Sequence, residues 1–193
     1  MNDSKPLILA SGSPYRRELL ERFGIPFTVQ AADIDERILP EESSEAAVMR
    51  LAREKAAAVA AANAGAAVIG SDQVAVFEGR ILGKPGDSAR ARHQLLSYSG
   101  GTVRFLAAVC VQCDGRVEEA LEPVSVRFRA LDAASVDRYI AADRPFDCAG
   151  AIRSEGLGAT LLEAVDSQDP TALIGLPLIS LSRLLRAHGF ILP

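Results

Sequence analysis

Short apolar runs that read as strands alternate with capped, helix-periodic segments along the 193 residues. That alternation confines the chain to the α/β class, because each strand must bury a face against a neighbouring layer. Leu7 to Ala10 is a strand-like run, and Ser13-Pro14 behind it is a helix start with Ser as cap and Pro at the first helical position. This helix is expected to reach Gly24, and Ile25 to Val29 resumes an extended run. Ser43 or Ser44 opens a long helix through Asn63, with Val48, Leu51 and Ala52 at helical spacing. Val68-Ile69-Gly70 reads as a short buried strand, followed by a separate hairpin of Val74 to Phe77, a Glu78-Gly79 turn and Arg80 to Leu82. Asp87 caps a helix to about Ser97, Asp114-Gly115 joins two long strands between Thr102 and Leu131, and Asp132 caps a helix to Ala142. Residues 147–175 read as irregular and Gly-rich, and Leu176 to Gly189 as a final amphipathic helix. The hairpins supply antiparallel pairs, so the expectation is a mixed β-sheet flanked by helices.

Composition removes several function classes. A formal net charge of −4 argues against a non-specific binder of nucleic-acid polymers, which needs a basic surface to displace phosphate counterions. No run of about 18 apolar residues is present to span a membrane. The start, Met1-Asn2-Asp3-Ser4-Lys5-Pro6, does not read as a signal peptide, so a cytoplasmic location is expected. Cys110 and Cys113 have C-x-x-C spacing, yet on a strand residues three apart face opposite ways and cannot converge on a metal or a disulfide. Neither His93 nor His188 has a partner in a catalytic arrangement, and both read as surface residues on helix faces.

Chemistry concentrates in a few places. Ser11-Gly12-Ser13-Pro14-Tyr15-Arg16-Arg17 sits between a strand and a helix N-terminus, where free N–H groups and the helix dipole favour an anion. It reads equally as an ordinary capped helix with two surface arginines. Asp72, in Ile69-Gly70-Ser71-Asp72-Gln73-Val74, follows an apolar strand, where a carboxylate can hold a divalent ion, take a proton from water, or simply end the strand. Asp33, Asp35 and Glu36 offer a second acidic group, or a solvated turn. The basic residues are 18 Arg and three Lys, and two of those lysines, Lys55 and Lys84, flank the acids. A compact ammonium suits a single phosphate oxygen. Late glycines around Glu155 and at Gly175 allow close backbone approach to a ligand, or make tight turns.

Taken in order, Leu9-Ala10-Ser11-Gly12-Ser13-Pro14 with Arg16-Arg17-Glu18-Leu19-Leu20, Asp35-Glu36, Leu51-Ala52 with Lys55-Ala56, Ile69 to Val74, Gly83-Lys84-Pro85, Ala149-Gly150 and Gly175-Leu176-Pro177-Leu178 resemble the Maf family of nucleoside triphosphate pyrophosphatases. The resemblance runs from about residue 7 to 189 and implies one Maf-like domain over residues 1–193. It implies a mixed α/β fold of two lobes around a deep cleft, and hydrolysis of a nucleoside triphosphate to monophosphate and pyrophosphate with Mg²⁺ or Mn²⁺. Carried over by motif, Asp72 resembles the general base or metal-associated carboxylate and Glu36 the second acidic group. Ser11, Arg16, Lys55 and Lys84 resemble phosphate contacts. Tyr15, Gln73 and Glu155 stand at the positions associated with specificity and are similar to the branch acting on 7-methyl-GTP, although that branch's expected Trp is here Tyr15. A cationic 7-methylguanine suits an aromatic face and a carboxylate. The alternatives are the dTTP and UTP branch of the same family, or a non-catalytic nucleotide sensor in cell division. The expected partner is a small nucleotide, and a homodimer is a further expectation.

Overall fold

A computed structural model describes residues 5–192. The elements are β1 (Leu7–Leu9), α1 (Pro14–Glu21), β2 (Thr28–Val29), α2 (Ser44–Ala60), β3 (Ala67–Phe77), β4 (Arg80–Leu82), α3 (Ser88–Ser97), β5 (Thr102–Cys113), β6 (Arg116–Phe128), α4 (Ala133–Asp143), β7 (Leu162–Ser167) and α5 (Leu178–Ala187). The strands form one mixed sheet in the order β2-β1-β3-β5-β6-β7, with β4 paired to β3. β1 runs parallel to β2 and β3; β3–β4 is antiparallel, as the Glu78-Gly79 hairpin signal requires, and β6–β7 is antiparallel as well. Asp114 and Gly115 have φ of 50° and 79°, and Glu78 and Gly79 have 49° and 76°. Positive φ at both central residues is the primed turn whose twist matches that of paired strands.

Local chemistry sets the helix starts. The side chains of Ser13, Ser43, Asp87 and Asp132 accept N–H bonds from Arg16, Ala46, Arg90 and Ser135, each closing a first turn.

The chain divides into two compact units. One comprises the described parts of 1–72, 107–122 and 169–193. Its core joins Leu7 and Leu9 of β1, Leu19 and Leu20 of α1, Ile69 of β3, and Leu181 and Leu185 of α5. The other comprises 73–106 and 123–168. There the buried Tyr98 packs edge-on against Phe77 and tilted against Phe128, and its hydroxyl donates to the Gly150 carbonyl.

Three expectations need correction. The break after Gly70 does not exist: residues 67–77 form one strand, and Asp72 lies within it rather than after it. Partners contributed by other elements satisfy its polar centre, so the backbone stays extended. Residues 147–175 are not wholly irregular, because Leu162–Ser167 is a strand. Its side chains are largely exposed, so pairing with β6 rather than an apolar alternation makes it. His188 is not a surface residue: it is 8% exposed at the end of α5, and its Nε2 lacks a partner among the described residues. His93 is exposed as expected. The three cysteines are free, and burial pushes the Cys110 thiol up to about 12, which makes it inert. No helix among the described residues is long and apolar enough to cross a membrane.

Candidate active site

The site begins with a glycine. A Cβ on Gly70 would stand 2.0 Å from the Ala52 carbonyl oxygen and 2.6 Å from the Ala56 nitrogen, so only glycine lets α2 lie directly against β3. Side chains two apart on a strand share a face, so Asp72 points to the same helix as Gly70. Lys55 is one turn beyond Ala52 on α2, and its ammonium is therefore delivered to Asp72. The Lys55 Nζ donates to Asp72 Oδ1 at 2.7 Å and to Glu36 Oε2 at 2.8 Å. Lys55 and Asp72 are 6% and 7% exposed, while Glu36 reaches in from the loop between β2 and α2. A buried ammonium held by two carboxylates is fully compensated, which is what permits its burial. The neighbouring Asp35 has a different role: it pairs with Arg37 at 2.6 Å, which keeps its carboxyl below the usual carboxylate range.

The loop between β1 and α1, with the first turn of α1, adds a second cation, Arg16. Ser11 Oγ accepts from the Ser13 N–H and from Arg16 Nη1, both at 3.2 Å. Arg16 Nε donates to the Gly175 carbonyl at 2.9 Å. Burial lowers the Arg16 pKa, and the charges of Asp72 and Glu36 oppose that shift. The surface-arginine alternative therefore fails for Arg16, although Arg17 fits it, being exposed and paired with Glu21. Ser71, fully buried, also donates to the Gly175 carbonyl, at 3.2 Å. The sequence assigns Ser71 no role of its own, and it marks Gly175 as a close backbone approach or a tight turn, not as the acceptor that Ser71 and Arg16 share.

The structure thus brings together Ser11, Arg16, Glu36, Lys55 and Asp72 in one unit, with Tyr15 half-buried on α1 of that same unit. Gln73, Lys84 and Glu155 belong to the other unit. Lys84 is exposed in the loop after β4. Glu155 lies 3.3 Å from Arg153 Nε and accepts from Ser154 Oγ at 3.4 Å. Its loop is stapled to α4 at both ends: the Arg153 N–H donates to the Tyr139 hydroxyl at 2.8 Å, and the Gly158 N–H to Asp143 Oδ2 at 3.3 Å. Glycine is required within that loop, since a Cβ on Gly156 would meet Asp143 Oδ2 at 2.7 Å.

Among the described residues no group of three or more His, Cys, Asp or Glu side chains is placed to hold a metal ion. The pair Asp72 and Glu36, both within 2.8 Å of one ammonium, is a smaller donor set. It fits Mg²⁺, which is commonly held by one or two carboxylates together with substrate phosphates, and it does not fit an all-protein cage.

The chain is similar to several known proteins over nearly its whole length. A Ralstonia nicotianae protein named 7-methyl-GTP pyrophosphatase is 54% identical over 184 residues, covering 94% of each chain. A protein of the same name from Alkalilimnicola ehrlichii is 50% identical over 192 residues, covering 98% of this chain and 96% of the other. A third, from Xanthomonas oryzae pv. oryzae, is 52% identical over 187 residues, covering 97% and 98%. The family profile described as Maf-like protein matches residues 6–188, which include every candidate side chain named above, and the chain belongs to the Maf family.

Proposed function

We propose that the protein hydrolyses 7-methyl-GTP to 7-methyl-GMP and pyrophosphate. The observation that carries this reading is the buried Asp72 carboxylate clamped by Lys55 beside Glu36 and Arg16. The shared name of relatives at 50–54% identity supports the choice of nucleotide.

Lys55 occupies Asp72 Oδ1, which leaves Oδ2 to orient a water and accept its proton. The water oxygen bonds to the α-phosphorus as the bond to the bridging oxygen breaks, and the electron pair leaves with pyrophosphate. Arg16 and Lys55 offset the charge that builds on the phosphate oxygens, and Ser11 holds Arg16 in place, with Lys84 as a further phosphate contact. Glu36 and Asp72 are the residues that would hold Mg²⁺ or Mn²⁺, whose contribution when bound is to neutralise phosphate charge. Glu155 is read as the acceptor for the guanine N1–H and N2–H₂ edge, Tyr15 as the face for the cationic ring, and Gln73 as a further specificity residue. A reducing cytoplasmic location belongs to the same reading, and the three free thiols agree with it.

The test is pyrophosphate release from a panel of 7-methyl-GTP, GTP, UTP and dTTP by the wild type and Glu155→Gln. The expected result is highest kcat/KM for 7-methyl-GTP, and a loss on substitution of about tenfold for that substrate against less than about threefold for UTP. Equal losses would remove Glu155 from base recognition. Nucleotide binding without pyrophosphate release in saturating Mg²⁺ or Mn²⁺ would replace the enzyme with a sensor.

A further inference from the structure

We infer that Thr171 and Ser71 are positioning residues for Arg16, acting on it through the backbone carbonyl of Gly175; this rests on the reading of Arg16 as a phosphate contact. The Gly175 carbonyl accepts from Arg16 Nε at 2.9 Å and from Ser71 Oγ at 3.2 Å. A carbonyl oxygen has two lone pairs, so these two donors fill it and fix its direction. Ser71 immediately precedes Asp72 on β3, so one backbone oxygen ties the arginine to the strand that carries the carboxylate. With Nε on Gly175 and Nη1 on Ser11, two of the three guanidinium nitrogens are committed to the protein, and Nη2, which has no partner among the described residues, is available to a ligand.

What holds that carbonyl is the turn around it. Gly175 has φ of 125°, in the region that favours glycine, and its own N–H donates to Ala172 and Thr171 carbonyls at 3.1 and 3.3 Å. The Thr171 hydroxyl accepts the Leu178 N–H at 2.8 Å and lies 2.9 Å from the Leu176 carbonyl and 2.7 Å from Asp169 Oδ1. One side chain therefore bonds on both sides of Gly175. Asp169, 1% exposed, anchors the assembly by accepting from the Thr171 N–H at 3.1 Å and the Ile179 N–H at 2.7 Å. That second bond serves the start of α5, whose own cap position, Pro177, provides no side-chain acceptor. The turn is thus braced against a helix, and the brace ends on the guanidinium. A displacement of about 1 Å in a charged positioning group is enough to cost a large part of its effect.

The experiment measures binding of inorganic triphosphate in Mg²⁺ by calorimetry, with kcat for the best nucleotide alongside. The variants are Thr171→Val, which keeps the shape and removes the hydroxyl, Thr171→Ser, which restores it, Arg16→Lys, and Arg16→Lys combined with Thr171→Val. Thr171→Val is expected to weaken triphosphate binding and lower kcat about tenfold, Thr171→Ser to recover to within about threefold, and Thr171→Val to cost less than about twofold once Arg16 is Lys. Multiplying losses in the double variant, or wild-type binding by Thr171→Val, would overturn the inference. Wild-type binding by Arg16→Lys would overturn it differently, by showing that binding does not depend on the guanidinium that the Gly175 carbonyl holds. A 7-methyl-GTP failure in the nucleotide panel leaves the triphosphate measurement standing, so the two readings fail separately. If Thr171→Val does not fold, Ser71→Ala enters the same cycle from the opposite side of the carbonyl, with the same expected non-additivity and the same refuting result.

Discussion

Gly70→Ala tests the contact between α2 and β3 with one methyl group. Gly70 does not have the positive φ at which a side chain is strained, so the substitution adds volume without forcing the backbone. The new Cβ would meet the Ala52 oxygen at 2.0 Å, the Ala56 nitrogen at 2.6 Å and the Ala56 Cβ at 2.9 Å, whereas real Cβ atoms essentially never come within 3.0 Å of a neighbour. None of these three atoms is the end of a flexible side chain. Strand and helix must therefore part by about 1 Å at this point. Overpacking of this kind costs about 1–3 kcal/mol, and backbone contacts place it at the upper end. At roughly 2–4 °C per kcal/mol for a chain of this size, Tm should fall by about 6–12 °C. The same retreat carries Lys55 away from Asp72, so kcat should fall about tenfold or more in the protein that remains folded. Calorimetry and pyrophosphate release below the transition read the two effects. Gly83→Ala, with nothing within 4 Å of its Cβ, is the control for Tm. A Gly70→Ala protein that melts within about 2 °C of the wild type would refute the direct contact between α2 and β3, and with it the account of how Lys55 is placed.

Two further outcomes concern charge. Asp72→Asn should lower kcat by about 100-fold or more while the fold persists, since a general base contributes on that scale; near wild-type turnover would strike Asp72 from the reaction. His188 is held below its ordinary pKa, chiefly by burial and then by the Arg116 cation, with Glu118 acting in the opposite direction. Above the unfolded value of about 6.5 it is neutral in both states and costs nothing; below it the unfolded chain takes up a proton that the folded one resists. Stability should therefore decline as pH falls from 7 towards 5, levelling off below the folded pKa. Urea unfolding of the wild type and His188→Asn reads this, and an unchanged pH slope in the variant would exclude His188 as the cause.

The features legible in the sequence were those set by near neighbours in the chain. Ser43, Asp87 and Asp132 cap helices because each finds its N–H three residues on. Asp114-Gly115 turns the chain because two residues suffice to do so. Cys110 and Cys113 lie on one strand, β5, as the apolar alternation around them predicts. The continuity of β3 was hidden because the polar residues at its centre find partners 17 and 104 residues away, in Lys55 and in the Gly175 carbonyl. His188 misled for a similar reason: its helical position looks polar, and only packing makes it buried. Within the site, Asp72, Glu36, Lys55, Arg16 and Ser11 were nameable by motif, but their mutual bonds were not. The backbone acceptor at Gly175 carries no side-chain signature. A positive φ shows only in the fold.

Asp72 and the three charged groups around it have a consequence for how a ligand arrives. Arg16 and Lys55 balance Asp72 and Glu36, and the chain as a whole is negative, at −4. A polyanion at a distance therefore feels no attracting field from this cluster, and diffusion rather than steering governs its encounter. Under the proposed reading, attraction starts only at contact, when the Lys55 ammonium exchanges a carboxylate oxygen for a phosphate oxygen. Such a site discriminates by that exchange and ignores anions that cannot complete it.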